Sequence, residues 1–444
     1  VMFGGMPLKN SKVSAGGVGK HVTEKGLKEC IDNGVNFINI SPLKSDAPKF
    51  LQAEQIAIRP NTDTALMLSL AYIMIKDDSY NKDFIKKYTV GFDEFSDYVM
   101  GRKNNAECSP DWAAGITGIP VDSINKLAEK IISKKTLISM SWSLQRASRG
   151  EQPLWMGITL ASMLGCIGTA TGGFGFGYSC VNSTGDSFPR VPWKSLPQGL
   201  NKVKDFIPVA RITEMLENPG SEFSYDGKKL IYPDIKLIYW AGGNPFHHQQ
   251  DLNRLVKAWQ KPDTIIVNEI WWNSQARHAD IVFPANTALE RNDIMLNPRD
   301  PTIVANTKAM KSFGDSKTDY DIFSGLASKL GFGELFTENR NEMDWIKFIW
   351  NESSKICEEY KINLPEFSEF WNKGFFEVPT SENKKVLLKD FYQNPITNPL
   401  NTPSGKIEIS SKTIASFNLS DCPSHPQWLE PYEWLGKVDK YPLH

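Results

Sequence analysis

Residues 240–251, Trp-Ala-Gly-Gly-Asn-Pro-Phe-His-His-Gln-Gln-Asp, gather the side chains best suited to holding a ligand. Two adjacent glycines let backbone N–H groups come close to a bound group. Asn244, His247 and His248 add side-chain donors. Such a set recognises an anion, above all a phosphate, at the start of a helix. The apolar, β-prone run 235–239 precedes it, and apolar residues at helical spacing follow over 252–259. The pattern is strand, tight glycine turn, helix. In an open α/β sheet that turn sits at the carboxyl edge of a strand, where ligands bind. A plain βα turn with a helix cap uses the same residues, and this stretch alone leaves both readings open.

The start of the chain repeats the pattern. Residues 1–5 read as a strand entering a glycine turn, and Gly4-Gly5-Met6-Pro7 matches Gly242-Gly243-Asn244-Pro245. A buried strand over 35–40, ending at Ser41-Pro42, matches a strand over 264–269 that ends in Asn268-Glu269. Pro60-Asn61-Thr62-x-x-Ala65-Leu66 matches Pro284-Ala285-Asn286-Thr287-Ala288-Leu289. Three matches in one order predict two similar α/β units. Each carries a phosphate turn and, one strand further on, a polar strand end of the kind that binds a sugar or base in dinucleotide folds. Two nucleotide-bearing ligands, or one ligand between the units, would follow. Coincidence between short strings is the competing reading.

The remaining elements position these edges. A helix is expected over 22–33 and a long one over 64–76, with Thr62 and Asp63 as its cap. Short helices are expected at 83–88, 92–100, 112–117 and 121–134. A strand over 137–142 runs into Ser143, Arg146 and Gly150. Arg146 suits bidentate binding of a phosphate or a base carbonyl, and would equally cap a helix C-terminus. After a helix over 152–164, the glycine run 168–178 matches neither a Walker loop nor a nicotinamide fingerprint. It reads as a loop whose backbone packs close to a ligand or another domain. Residues 182–203 read as an irregular connection. Further helices are expected at 319–330 and 342–360, and a turn with an alternating strand at 402–410 leads into a β-rich unit. The expected fold class is α/β, with two related open, mostly parallel-sheet nucleotide-binding units and helical insertions. The expected domains are 1–205, 206–400 and a connection over 401–444.

The chain of 444 residues has room for roughly two or three domains. Its net charge of −1 gives no global attraction to nucleic acid or anionic lipid. No apolar stretch is long enough to span a bilayer. None of the six cysteines falls in a C-x-x-C pair, which argues against a zinc ribbon or a local iron–sulfur motif and for buried free thiols. The chain begins at Val1 without a targeting signal, and 440–443 reads as the start of a strand. It is therefore expected to be an internal piece of a longer protein, in which case the missing leader is uninformative about compartment.

Five strings then act together: Trp142-Ser143-Leu144-Gln145-Arg146-x-x-x-Gly150-Glu151-Gln152, residues 240–251, Ala276-Arg277-His278-Ala279-Asp280-Ile281-Val282-x-Pro284-Ala285, Glu290-Arg291-Asn292-Asp293, and Thr402-Pro403-Ser404-Gly405-Lys406-Ile407-Glu408-Ile409. In this order they resemble the molybdopterin oxidoreductases of the dimethyl sulfoxide reductase family, in the branch of the trimethylamine-N-oxide, dimethyl sulfoxide and biotin sulfoxide reductases. The resemblance covers essentially the whole chain. It implies molybdenum held by a bis(molybdopterin guanine dinucleotide) cofactor, one dinucleotide for each unit. Position by position it implies cofactor contacts at Lys9, Ile40, Ser41, Asn61, Thr62, Asp63, Trp142, Ser143 and Arg146. In the second unit the implied contacts are Asn244, His248, Asn268, Glu269, Arg291 and Asp319. Carboxylates and amides would read guanine N–H groups, while Arg, Lys and helix N-termini would take pyrophosphate. Ser41 stands where relatives often have Asp, and Asn61 where they often have Gly.

The family's metal-ligating serine and its neighbouring aromatics would lie upstream of this chain, and its closing β-barrel downstream, so no catalytic residue and no metal ligand is assigned. His247, His248 and His278 are expected to bind the cofactor or to pack. The implied reaction is oxygen-atom transfer from a small-molecule N-oxide or S-oxide, with two electrons from an external redox protein. No nucleic-acid partner and no membrane span are expected. The compartment would be periplasmic by likeness to N-oxide reductases, or cytoplasmic if the protein is of biotin-sulfoxide-reductase type. A nitrate- or formate-type relative and a non-catalytic scaffold that kept the fold are the alternatives. The piece alone is expected to be inactive.

Overall fold

The computed structural model describes residues 1–12, 21–103, 105–178, 188–204, 206–297, 300–379 and 386–436. Cys180, the 182–187 part of the expected connection and the strand expected at 440–443 lie outside them. The described residues form two compact units, one from the chain up to 178 together with 386–436, the other from 188–379. The chain is mixed α/β with mostly parallel sheets. The boundaries differ from those expected at 205 and 400, and the cores show why. Phe188 and Val191 are buried with Trp350 and Phe370 of the second unit, while Phe391, Ile407 and Ile409 are buried in the core of the first.

The first unit holds strands β1 (Met2–Phe3), β2 (Ile38–Ile40), β3 (Glu54–Ile56), β4 (Thr89–Val90), β5 (Leu137–Met140) and β6 (Gly173–Phe176). Five of them form an all-parallel sheet in the order β3-β2-β1-β5-β6. Phe3, Ile40, Ile138 and Met140 are fully buried, as expected of a parallel sheet covered on both faces. Helices α1 (Thr23–Asp32), α2 (Asp63–Lys76), α3 (Lys82–Tyr88), α4 (Phe92–Val99), α5 (Pro110–Thr117), α6 (Val121–Ser133) and α7 (Glu151–Leu164) complete it. Helix α2 is apolar all round and runs through the core, with Leu66, Met67, Leu68 and Leu70 buried. Helix α5 starts on Ser109, whose hydroxyl accepts the Trp112 N–H, with Pro110 at its first position. Helix α7 packs hard on β5: a Cβ at Gly157 would lie 1.9 Å from Met140 Sδ.

Three expectations are corrected in this unit. Thr62 occupies the cap position of α2, but its hydroxyl donates to the Arg59 carbonyl at 2.7 Å and does not accept from the helix. Part of the glycine run expected as a loop is strand β6; an edge position tolerates residues of weak strand propensity. The strand expected to lead into a β-rich unit is the two-residue β-strand Ile407–Glu408, which pairs with β4 of the first unit. The segment around it is pinned further. Trp155 Nε1 donates to the Glu408 carbonyl (2.9 Å), and Ser410 and Ser424 donate to the Glu94 carboxylate at 2.5 and 3.2 Å.

The second unit holds a hairpin, β7 (Glu222–Tyr225) and β8 (Lys228–Ile231). Its two-residue turn, Asp226-Gly227, has φ of 49° and 72°, the left-handed pair that such hairpins demand. Strands β9 (Leu237–Ala241), β10 (Thr264–Glu269) and β11 (Ile281–Pro284) then form a parallel sheet in the order β11-β10-β9. Strands β12 (Asp293–Met295), β13 (Thr302–Asn306) and β14 (Phe375–Glu377) form an antiparallel one. Helices α8 (Ile212–Glu217), α9 (Pro245–His248), α10 (Leu252–Ala258), α11 (Asp319–Lys329), α12 (Gly333–Thr337) and α13 (Glu342–Glu359) flank them. Among the described residues no helix is long and apolar enough to cross a membrane.

Candidate functional site: two strand edges

The sequence repeat is a repeat of structure. The order β3-β2-β1 recurs as β11-β10-β9, parallel throughout. Strands β1 and β9 both run into consecutive left-handed glycines, Gly4-Gly5 with φ of 76° and 78° and Gly242-Gly243 with 79° and 78°. Within the repeat Phe3 pairs with Ile40 and Ala241 with Asn268, so Ile40-Ser41 and Asn268-Glu269 occupy matching strand ends. The third match is looser: Pro284 ends β11, whereas Pro60 lies beyond the end of β3 at Ile56.

In the first unit the glycine turn is wedged in. A Cβ at Gly4 would lie 2.8 Å from Ser141 Cβ, and one at Gly5 would lie 2.5 Å from Asp46 Cβ. Gly4 N–H donates to the Ile40 carbonyl (2.9 Å) and Met6 N–H to that of Asp46 (2.7 Å). Ser41 and Ser143 therefore lie beside one turn. The Ser41 hydroxyl donates to Asp46 Oδ2 at 2.5 Å. A carboxylate thus stands at this strand end, supplied by Asp46. The sequence reading missed it because the two residues meet only through the 3-10 turn Lys44–Asp46. The half-exposed Trp142 ring packs on Gly177, where a Cβ would come within 2.4 Å of Nε1.

Asn61 has φ of 64°, and its side chain donates to the Ser148 carbonyl (3.3 Å), tying the loop after β3 to the loop after β5. Asn tolerates the left-handed region better than most other residues with a Cβ. Asp63 is buried at the start of α2, and loss of solvent pushes its carboxyl up to about 7. Lys9 and Arg146 are exposed on the short 3-10 helices Leu8–Lys12 and Trp142–Arg146.

In the second unit the turn faces open space: a Cβ at Gly242 would meet nothing within 4 Å. Asn244 Oδ1 accepts the Phe246 N–H at 3.0 Å, and its Nδ2 lies 3.5 Å from Ser274 Oγ. His248 is exposed in the last turn of α9. Asn268 is buried, accepting from the Tyr239 hydroxyl and donating to Asp319 Oδ1, both at 2.9 Å. Glu269 accepts from Ile270 N–H (2.8 Å), Trp271 N–H (3.3 Å) and Asn273 Nδ2 (2.8 Å), so its carboxylate serves its own loop. Arg291 donates to Asp293 Oδ2 (3.2 Å) and to the Asn286 carbonyl (3.3 Å). Lys317, just before α11, joins the end of β11 through Asn286 N–H and the Pro284 carbonyl. This brings Asp319 beside Asn268.

Asn244, Asn268, Glu269 and Asp319 therefore share one edge, with Tyr239 and Ser274 as partners that sequence patterns do not signal. His278 stacks on Phe246 with ring centroids 4.4 Å apart, and its Nδ1 lies 2.6 Å from the Ser274 carbonyl. Beside Ser274, Gln275 is fully buried, with both amide atoms unpartnered among the described residues. Among the described residues no group of three His, Cys, Asp or Glu side chains could hold a metal ion.

Two parallel sheets, each with a left-handed glycine pair at its carboxyl edge, define an open α/β protein, a class whose ligands bind at that edge. The chain belongs to the molybdopterin oxidoreductase family, whose sequence model matches residues 16–329. It is 41% identical to a biotin sulfoxide reductase of Cereibacter sphaeroides over 445 residues, covering 100% of this chain and 60% of that protein. It is 40% identical to a dimethyl sulfoxide/trimethylamine N-oxide reductase of Rhodobacter capsulatus over 458 residues, covering 100% of this chain and 56% of that protein. The chain thus spans little more than half the length of these relatives. Acetylene hydratase from Pelobacter acetylenicus shares the fold, with a TM-score of 0.58 and 19% identity over 92% of this chain and 55% of that one. Family membership implies molybdenum and molybdopterin. The residues present fit such a group: an open glycine turn at Gly242 and, beside Ser274 on the neighbouring loop, an orphaned buried amide at Gln275.

Proposed function

We propose that the protein containing this chain reduces an N-oxide or S-oxide by oxygen-atom transfer. In this reading its molybdenum is carried by two molybdopterin guanine dinucleotides, one held by each unit. The duplicated edge carries the reading: one glycine turn with one polar strand end suits one nucleotide tail, and the chain has two of each. The names of the relatives support the reaction class. When bound, the cofactor supplies the two-electron chemistry at the oxide, and the protein supplies binding and shape.

In the first unit, Lys9, Ile40, Ser41, Asn61, Thr62, Asp63, Trp142, Ser143 and Arg146 hold one tail, with the two cations directed to phosphate. In the second, Asn244, His248, Asn268, Glu269, Arg291 and Asp319 hold the other. Hydrogen bonds from guanine N–H groups would lower the raised pKa of the buried Asp63 carboxyl, since such bonds favour the carboxylate. Electrons come from an external redox protein. The compartment follows the substrate: periplasmic for trimethylamine N-oxide, cytoplasmic for biotin sulfoxide.

The test is expression of the full-length gene, with molybdenum and released GMP measured, followed by oxidation of reduced viologen. Two GMP per molybdenum and turnover with trimethylamine N-oxide or methionine sulfoxide are expected. One GMP per molybdenum rejects the two-tail assignment. Full loading without turnover on either oxide rejects the reductase and leaves the scaffold or the nitrate- or formate-type relative.

A further inference from the structure

In the second unit, the residues best placed by sequence to read a base are already engaged. Asn268 uses one end of its amide on Tyr239 and the other on Asp319. Glu269 accepts three donors from the loop that follows it. That loop offers two indole rings instead. Trp271 and Trp272 are consecutive, 69% and 65% exposed. Among the described residues neither ring stacks on another aromatic.

The loop that carries them is fixed at both ends. Glu269 holds it at the tip of β10, and Ser274 lies 3.5 Å from Asn244 on the glycine turn. The turn beside it is the one with open space at Gly242. Single exposed apolar side chains are ordinary, but two adjacent tryptophans on a hydrogen-bonded loop just past a strand end make a larger exposed apolar surface of the kind that takes a ligand. Their flat faces suit a purine, because base–aromatic stacking needs no hydrogen-bond code.

We propose that Trp271 and Trp272 form the stacking platform for the purine base of the nucleotide held at the β9–β10 edge. Glu269 then contributes to holding that tail as a positioning residue, through the loop it locks, and the indoles take the base. This rests on the reading of that edge as a nucleotide site.

The experiment uses full-length protein made without molybdenum cofactor, titrated with GDP and followed by indole emission and by equilibrium dialysis of labelled GDP. Saturable quenching is expected. Trp271→Leu or Trp272→Leu should weaken one class of GDP site roughly fivefold to a hundredfold, while the corresponding Phe variants, which keep an aromatic face, should recover most of the affinity. Glu269→Gln should reduce the quenching and shift the indole emission of the free protein. Unchanged GDP affinity in both Leu variants overturns the platform and leaves the nucleotide reading standing. Indoles that acrylamide cannot reach in the cofactor-free protein also overturn it, because another part of the protein then covers them. Absence of GDP binding by wild-type protein overturns the nucleotide reading and the platform together.

Discussion

Asp63 is the residue whose environment departs furthest from what its type favours. A carboxyl pushed up to about 7 binds its proton more tightly folded than unfolded. Stability is therefore greatest below the unfolded value near 4 and falls as pH rises toward 7, by up to about 4 kcal/mol for this shift. Urea titrations of cofactor-free protein at pH 4.5 and 7.5 should show this loss in wild type and not in Asp63→Asn. His425 gives the opposite slope. Burial lowers its pKa, so its share of stability is lost as pH falls below its ordinary range. The glycine turns separate two costs that sequence alone cannot. Gly242→Ala meets only the left-handed backbone, about 1–2 kcal/mol. Gly4→Ala meets the same backbone and also Ser141 Cβ, so its denaturation midpoint should fall further. Gly242→Ala should mainly reduce GMP retention.

Among the elements, one exacting contact joins the start of α4 to the segment after Ile407–Glu408. Gly91 has φ of 81°, and a Cβ there would lie 2.4 Å from Ser410 Cβ. Gly91→Ala should release this segment, and Glu94→Gln should loosen it less. Trypsin cleavage after Lys412 should speed up tenfold or more in Gly91→Ala, since roughly 1.4 kcal/mol of local destabilisation raises the open population by that factor. This docking was invisible in the sequence because nothing local to Ile407 says that its partner is Thr89. The helices and the two βα edges were legible because period and turn chemistry are local properties: α2, α6, α7, α11 and α13 all lie where apolar spacing put them. Strand β6 was not, because Gly-Phe-Gly-Phe carries little strand propensity and forms only beside β5. The candidate residues were legible as types at strand ends. What they touch was not: that Glu269 turns back on its own loop, or that Ser41 recruits Asp46, depends on side-chain directions that spacing does not encode.

For the whole molecule, two compact units, each with its own buried clusters, imply two unfolding events. Leu68 is buried in the core of the first unit, and Trp350 stacks on Phe370 at 3.8 Å in that of the second. Leu68→Ala and Trp350→Ala should each cost about 2–5 kcal/mol and should lower different calorimetric transitions. A single transition moved by both variants would show that the chain unfolds as one body. The interleaved path of the chain has a consequence for synthesis. Residues 188–379 are translated before Ile407 and Ile409 can reach the core they complete. At about 5–20 residues per second, the seat for those two side chains stays bare for roughly 10–50 s after α7 has left the ribosome. Nascent chains stalled just before residue 400 should be nicked by protease within α7 and should recruit holding chaperones, whereas chains stalled well past residue 436 should do neither.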